Sequence, residues 1–379
     1  PTPVHDYSYL VIHGSHDGDV SSFMGLTQYN RFRFTRPGPE FKSAIWMHRA
    51  NHGQWNTVWN DRDNGDYSVR ALQLKALIEG EEQRRFGRVV IGGFLEATLN
   101  GRDEYRMIFR DHRSAGDWLP PTMYLTRYAD ARTTMLATFE EDVDVSSGSV
   151  PGVRLLGDSL STWRESDMPS RSRAATFRSN AATLGWNNTP VGKDTTAPRW
   201  PARFNVSLSD SLSRALSLTP QHALLLTVGT TDQKPGPRRV PRDTSKRDST
   251  KSDSAGKATP PKPTAAGKSS GKPPKDTVPP DFTLELEDAD GRVARLPLST
   301  FGAVRLPIES YIYRRRGRDK SQFPTLAEPI MQTYVAPLAA FREANSALDV
   351  TRLRALRLVF DRKRAGTVQL DDIGVSRPQ

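Results

Sequence analysis

Five of the seven histidines lie within the first 52 residues: His5, His13, His16, His48 and His52. Two stretches among them have the residue types for proton transfer. The first is Leu10-Val-Ile-His-Gly14-Ser-His-Asp17-Gly-Asp19-Val20, an apolar run that breaks into a turn bearing a carboxylate. The second is Ala44-Ile-Trp-Met47 followed by His48-Arg-Ala-Asn-His52-Gly53, an apolar run that gives way to an imidazole beside a glycine. A carboxylate holding one imidazole nitrogen leaves the other free to take and return a proton. The carboxylates of Asp17 and Asp19 and the imidazole of His52 are the candidates for such a pair. The same donors, His13, His16, Asp17, His48 and His52, also invite a metal reading. They lack the H-x-H-x-D-H order of the common metallohydrolase turn, which leaves the acid–base reading ahead.

Both stretches need a scaffold. Tyr9–Ile12 is a short continuous apolar run, as expected of a buried parallel strand. Residues 21–32 read as a helix and 42–47 as a second strand. Strand, helix, strand in about forty residues is a βαβ unit. Asp17 and His52 then follow the carboxyl ends of neighbouring parallel strands, where open α/β sheets place their sites. A helical stretch over 68–99 carries Val69, Leu72, Leu74, Leu77 and Ile78, with Gly87, Gly92 and Gly93 expected to break it.

From Thr133 onward the pattern changes to short strands: 135–139, 174–177, 183–186, 203–208, 224–228, 282–287, 354–360 and 367–373. Asp288-Ala-Asp-Gly291 is a hairpin turn after the sixth of these. The fold class is therefore an α/β piece over 1–130 followed by an all-β sandwich or jelly roll over 131–232 and 281–379. Residues 233–280, rich in Lys, Pro, Ser and Thr, form a low-complexity insertion with too little apolar surface to fold.

Charge and composition narrow the function. The net charge of +11 suggests nucleic acid until it is located. Between Gln233 and Pro280 there are twelve Lys/Arg and four Asp, so only +3 belongs to the rest of the chain. No nucleic-acid partner is expected. No apolar run approaches the roughly 20 residues of a membrane span. The absence of cysteine removes disulfides, Cys-based metal sites and thiol nucleophiles.

Gly14-x-x-Asp17-x-x-Val20 after an apolar strand, with His52-Gly53 thirty-five residues later, resembles the end of an α/β-hydrolase domain. The resemblance covers about residues 7–113. It implies Asp17 as triad acid, His52 as base, and a helix over 69–99 packing back on the sheet. It implies acyl transfer through a serine ester, with esters as the first substrate class and peptides as the second. A complete domain carries its serine in a strand–elbow–helix before the acid. No such element precedes Asp17, so the nucleophile is expected upstream of Pro1 in an extracytoplasmic serine hydrolase. Gly157-Asp-Ser159-Leu160 mimics the nucleophile block of another hydrolase family but lacks its D-x-x-H; Ser159 is expected in a turn.

In the β region, Met135-Leu-Ala-Thr-Phe139-Glu140-Glu141 and Val368-Gln-Leu-Asp371-Asp372-Ile373 resemble the first and last strands of galactose-binding-like carbohydrate modules. That resemblance implies a possible structural calcium at Glu140, Asp371 and Asp372. It also gives the alternative function, a non-catalytic glycan- or polymer-binding sandwich carrying a relic hydrolase segment. Trp163, Trp186 and Trp200 are the aromatics available for a sugar face, with burial in the core the simpler expectation for each.

Overall fold

The computed structural model describes residues 4–63, 65, 70–171, 176–189, 201–236 and 277–377. The middle of the low-complexity insertion, 237–276, lies outside the described residues, and so does Trp200.

The N-terminal part runs β1 (Val4–His5), β2 (Tyr9–Gly14), α1 (Gly25–Arg31), β3 (Phe32–Arg33), β4 (Phe41–Met47), α2 (Gly80–Thr98) and β5 (Tyr124–Asp130). β2 and β4 are parallel neighbours, with Tyr9 opposite Lys42 and Gly14 opposite Met47. β5 adds to the other side of β4 antiparallel, giving the order β2-β4-β5. All seven residues of β4 are buried because both of its faces are covered. Phe41, Ile45 and Met47 point to Phe86 and Val90 of α2, whereas Ala44 and Trp46 point to Phe23, Leu26 and Tyr29 around α1. That is the period-2 alternation of a strand with an apolar layer on each side.

α2 begins at Gly80, later than the sequence suggests, and Leu74–Ala76 forms only a 3-10 turn before it. Glu81 and Glu82 lie in its first turn, where they favour the positive end of the helix dipole. The expected breaks at Gly87, Gly92 and Gly93 do not occur. Gly87 and Gly93 instead bring the helix close to the side chains of Trp55 and of Ile108 and Tyr105.

The remaining strands are β6 (Thr133–Ala137), β7 (Val153–Asp158), β8 (Thr162–Pro169), β9 (Thr176–Asn187), β10 (Ala202–Leu208), β11 (Ala223–Thr230), β12 (Thr283–Asp288), β13 (Val293–Pro297), β14 (Gln332–Pro337), β15 (Leu353–Phe360) and β16 (Ala365–Ser376). They make two antiparallel sheets. One has the order β13-β12-β15-β10-β7 and the other β14-β11-β16-β9-β8, with β6 also on β16. Leu184, Trp186, Leu226 and Leu370 from the second sheet meet Phe204, Leu284, Leu356 and Phe360 from the first. The fold of this part is a β-sandwich. Residues on both sides of the insertion belong to it, since β11 and β12 flank the segment.

The second sheet is covered on its outer face too. Leu225 of β11 joins the core of Phe41 and Phe86, and Phe177, Ala181 and Met331 join that of Trp46 and Leu26. The N-terminal sheet thus packs directly on the sandwich. No helix among the described residues is long and apolar enough to cross a membrane.

Candidate active site

The turn after β2 lies against the loop after β4. A side chain at Gly14 would collide with the Ala50 carbonyl, so only glycine permits the approach. Ser15 N–H donates to Met47 O and His16 N–H to Ala50 O, each at 2.9 Å. Asp17 follows at once, and its Oδ1 accepts the N–H groups of Asp19 at 2.9 Å and Val20 at 2.6 Å. These bonds turn Oδ2 outward, where it lies 3.1 Å from Nδ1 of His52. Asp19 contributes its backbone and leaves its side chain exposed.

Asp17 is buried, and burial pushes its carboxyl up to about 6; the Val20 N–H pulls it back, and the nearby charge of Asp63 raises it further. The contact with His52 favours the ionised form. An Nδ1–H donated to Asp17 leaves Nε2 of the ring as the acceptor. The His52 side chain is 38% exposed, so that nitrogen is not sealed in.

His52 owes its position to a network of amides. Gln83 of α2, fully buried, accepts Asn51 N–H at 3.1 Å and donates to Asn51 O at 2.8 Å. Asn51 Oδ1 then accepts Gln54 N–H at 3.1 Å. Asp63 receives the N–H groups of Gly18, His52 and Gly53 and the side-chain amide of Asn51. A side chain at Gly53 would strike the Asn60 carbonyl, which accounts for the His-Gly pair. Trp59, from the same loop and 56% exposed, stacks over His52 with ring centroids 6.2 Å apart. Asp63, Asn51 and Gln83 carry no motif. Their role becomes visible only when the loop is folded.

His13, His16 and His48, the other histidines weighed as metal ligands, have neighbours within the protein. His13 is buried against Phe23, and burial holds it down to about 3. His16, likewise held near 3 by burial, points its Nδ1 at Ser15 Oγ at 2.7 Å, and His48 Nδ1 reaches the same oxygen at 3.3 Å. Their Nδ1 atoms thus share one hydroxyl. No group of three or more His, Asp or Glu side chains among the described residues is gathered as metal ligands.

Ser159 sits in an exposed turn with φ +55°, donating to Asp158. A G-x-S-x-G string does occur at Gly267-Lys-Ser269-Ser-Gly271. It follows the acid and base in the chain, has no apolar strand before it, and lies outside the described residues.

The residues named for calcium do not fit one. Arg127 of β5 donates from Nη2 to Asp371 at 2.8 Å and to Asp372 at 2.7 Å. Successive strand residues normally face opposite sides. Here a bulge, with Asp372 at φ +44°, lets both carboxylates reach the same guanidinium. Glu140 instead accepts from Ser179 and Asn180. The positive charge at this place belongs to the protein. Trp186 is fully buried on Phe360, and Trp163 is half-buried against Phe204, so neither offers a flat exposed face to a sugar.

No family model matches the sequence, and no curated protein matches it. Among solved structures, the chain is similar to a family 11 carbohydrate-binding module from Clostridium thermocellum in complex with a beta-1,3-1,4-mixed-linked tetrasaccharide. That match has 8% identity and a TM-score of 0.29 over 65% of this chain and 96% of the module. A family 30 carbohydrate-binding module matches at 10% identity and 0.26, over 58% of this chain and 78% of that one. An exo-beta-agarase matches at 11% identity and 0.31, over 65% of this chain and 25% of the agarase. Likeness at this level assigns neither a ligand nor a reaction to the chain.

Proposed function

We propose that this chain supplies the acid and base of a serine acyl hydrolase acting on esters, with peptides as the second substrate class. The observation that supports it best is the 3.1 Å contact between Asp17 and His52 at the carboxyl ends of two parallel strands. In this reading His52 Nε2 takes the serine proton as Oγ attacks the carbonyl carbon. The imidazolium then donates that proton to the leaving oxygen, and water repeats the sequence on the acyl-enzyme. Asp17 orients the ring and stabilises its charged form. In this reading the serine and the oxyanion donors are supplied by polypeptide other than these residues. Among the described residues β2 pairs only with β4, which leaves its other edge available for a preceding strand. An extracytoplasmic setting belongs to the same reading.

The test is hydrolysis of 4-nitrophenyl esters by the 379 residues alone and by a longer natural polypeptide containing them. The chain alone should stay at background, and the longer protein should turn over in a manner abolished by His52→Ala. His52-independent turnover would remove the proposal.

A second reading gives the sandwich a glycan or polymer ligand. It rests on a cleft of about 880 Å³ beside β11 and β16, where Asp232, Gln233, Glu309, Lys320 and Lys363 offer polar contacts. Affinity electrophoresis in soluble polysaccharide gels tests it: retardation relieved by Glu309→Ala and Lys363→Ala supports the cleft, and unretarded migration in every gel rejects it.

A further inference from the structure

We propose that Asp63 is a positioning residue that sets the separation of Asp17 and His52 by tying together the two loops that carry them. The inference rests on the reading of that pair as acid and base. Asp63 is 3% exposed and lies on neither strand end. Its Oδ2 accepts Gly18 N–H at 2.9 Å, in the turn that holds Asp17, and His52 N–H at 3.2 Å. Its Oδ1 accepts Gly53 N–H at 2.7 Å and the Asn51 side-chain amide at 2.8 Å. One carboxylate therefore bonds the residue after the acid, the base itself and both neighbours of the base.

Charge-assisted bonds from several N–H groups are among the stronger polar contacts, and their directions define a geometry. Asp17 and His52 belong to separate loops whose other direct ties lie nearer the strand ends, from His16 N–H to Ala50 O and from Arg49 N–H to Ser15 Oγ. Without Asp63 the two loops could drift by the fraction of an ångström that matters for proton transfer. The same residue closes the 56–63 loop, which lays Trp59 over the His52 ring. Asp63 also places negative charge beside Asp17, which raises the Asp17 carboxyl in addition to burial. Asp63 touches neither proton-transferring nitrogen, so its action is through His52 and the Asp17 turn.

The experiment uses carbon-detected NMR of the Asp17 carboxyl and amide hydrogen exchange in the 379-residue chain, with Asp63→Asn and Asp63→Ala. In Asp63→Asn, which keeps the size of the side chain, the Asp17 midpoint should fall below about 6 while burial keeps it above its ordinary value. Because asparagine keeps a single acceptor oxygen, protection should be lost at Gly18 and His52, which share Oδ2, or at Gly53, which uses Oδ1; in Asp63→Ala it should be lost at all three. If Asp63→Ala does not fold, Asp63→Asn still carries both readouts. An Asp17 midpoint and amide protection unchanged in Asp63→Asn would overturn the inference. In the longer protein, Asp63→Asn should lower kcat with little change in KM. If that protein instead shows no His52-dependent turnover while the NMR changes occur, the acid–base reading fails and the tie between the loops stands.

Discussion

Gln83 and Asn51 form a reciprocal amide pair, Gln83 Nε2 donating to Asn51 O at 2.8 Å and Gln83 Oε1 accepting Asn51 N–H at 3.1 Å. A glutamine in the buried face of α2 thus occupies the place of a strand partner for the backbone just before His52. The helix does more than cover the sheet, since it fixes where the base loop begins.

Replacing Gln83 with Ala leaves two buried backbone groups of Asn51 without partners. The expected cost is about 1–3 kcal/mol, read as a shift in the urea midpoint with an unchanged m-value. Gln83→Glu sets a buried carboxylate against Asn51 O and should cost more than Ala at neutral pH. Wild-type stability in Gln83→Ala would mean that the Asn51 loop is held elsewhere.

Asp17 makes stability depend on pH in a direction opposite to that of a salt-bridged aspartate. Its folded carboxyl holds its proton to about 6, against an ordinary 3.8. Between those values the folded chain binds a proton that the unfolded chain has lost, so stability from this group falls as pH rises through the window. Above about 6 the penalty is complete, on the order of 3 kcal/mol. Asp17→Asn should therefore gain on wild type between pH 4 and pH 7, measured as the difference in urea midpoints. A difference that moves the other way would show a carboxylate ionised and paired at low pH.

Arg127 joins the N-terminal sheet to the last strand of the sandwich through Asp371 and Asp372. Burial and the charge of Asp372 push the Asp371 carboxyl up, and the guanidinium opposes them. Removing one partner of such a buried group typically costs about 3–5 kcal/mol. Arg127→Met should lower Tm strongly, and adding Asp371→Asn and Asp372→Asn should recover much of the loss. Chelator or added calcium should leave the wild-type Tm unchanged. A Tm that rises with calcium would return this place to a metal.

The elements that position the dyad were legible for a simple reason. β2 holds the apolar run Tyr9–Ile12 and β4 the apolar run Ala44–Met47, and β4 is buried on both faces, so each stands out. Gly14, Asp17 and the His52-Gly53 pair are local, and their glycines answer to close backbone contact. β5 was not legible, because Tyr-Leu-Thr-Arg-Tyr-Ala-Asp mixes buried polar groups with apolar ones. Arg127 pairs with Asp371 and Asp372, remote in sequence, and Asp130 takes Arg110 from another element as well as Tyr128 of its own strand. β8 is an edge strand whose Arg164, Glu165 and Asp167 dilute the alternation. Asp63 was hidden for a related reason: three of its four partners are backbone N–H groups, which leave no trace in residue types.

The most direct measurement of the central claim is fluorophosphonate labelling of a longer natural polypeptide that contains these 379 residues, with the labelled site located by mass spectrometry. The probe reacts with a serine only when a base has activated it. The expected result is a single adduct on a serine outside these residues, lost in His52→Ala and strongly slowed in Asp17→Asn, with the 379-residue chain unlabelled. Labelling of Ser159 or Ser269, or labelling that survives His52→Ala, would contradict it.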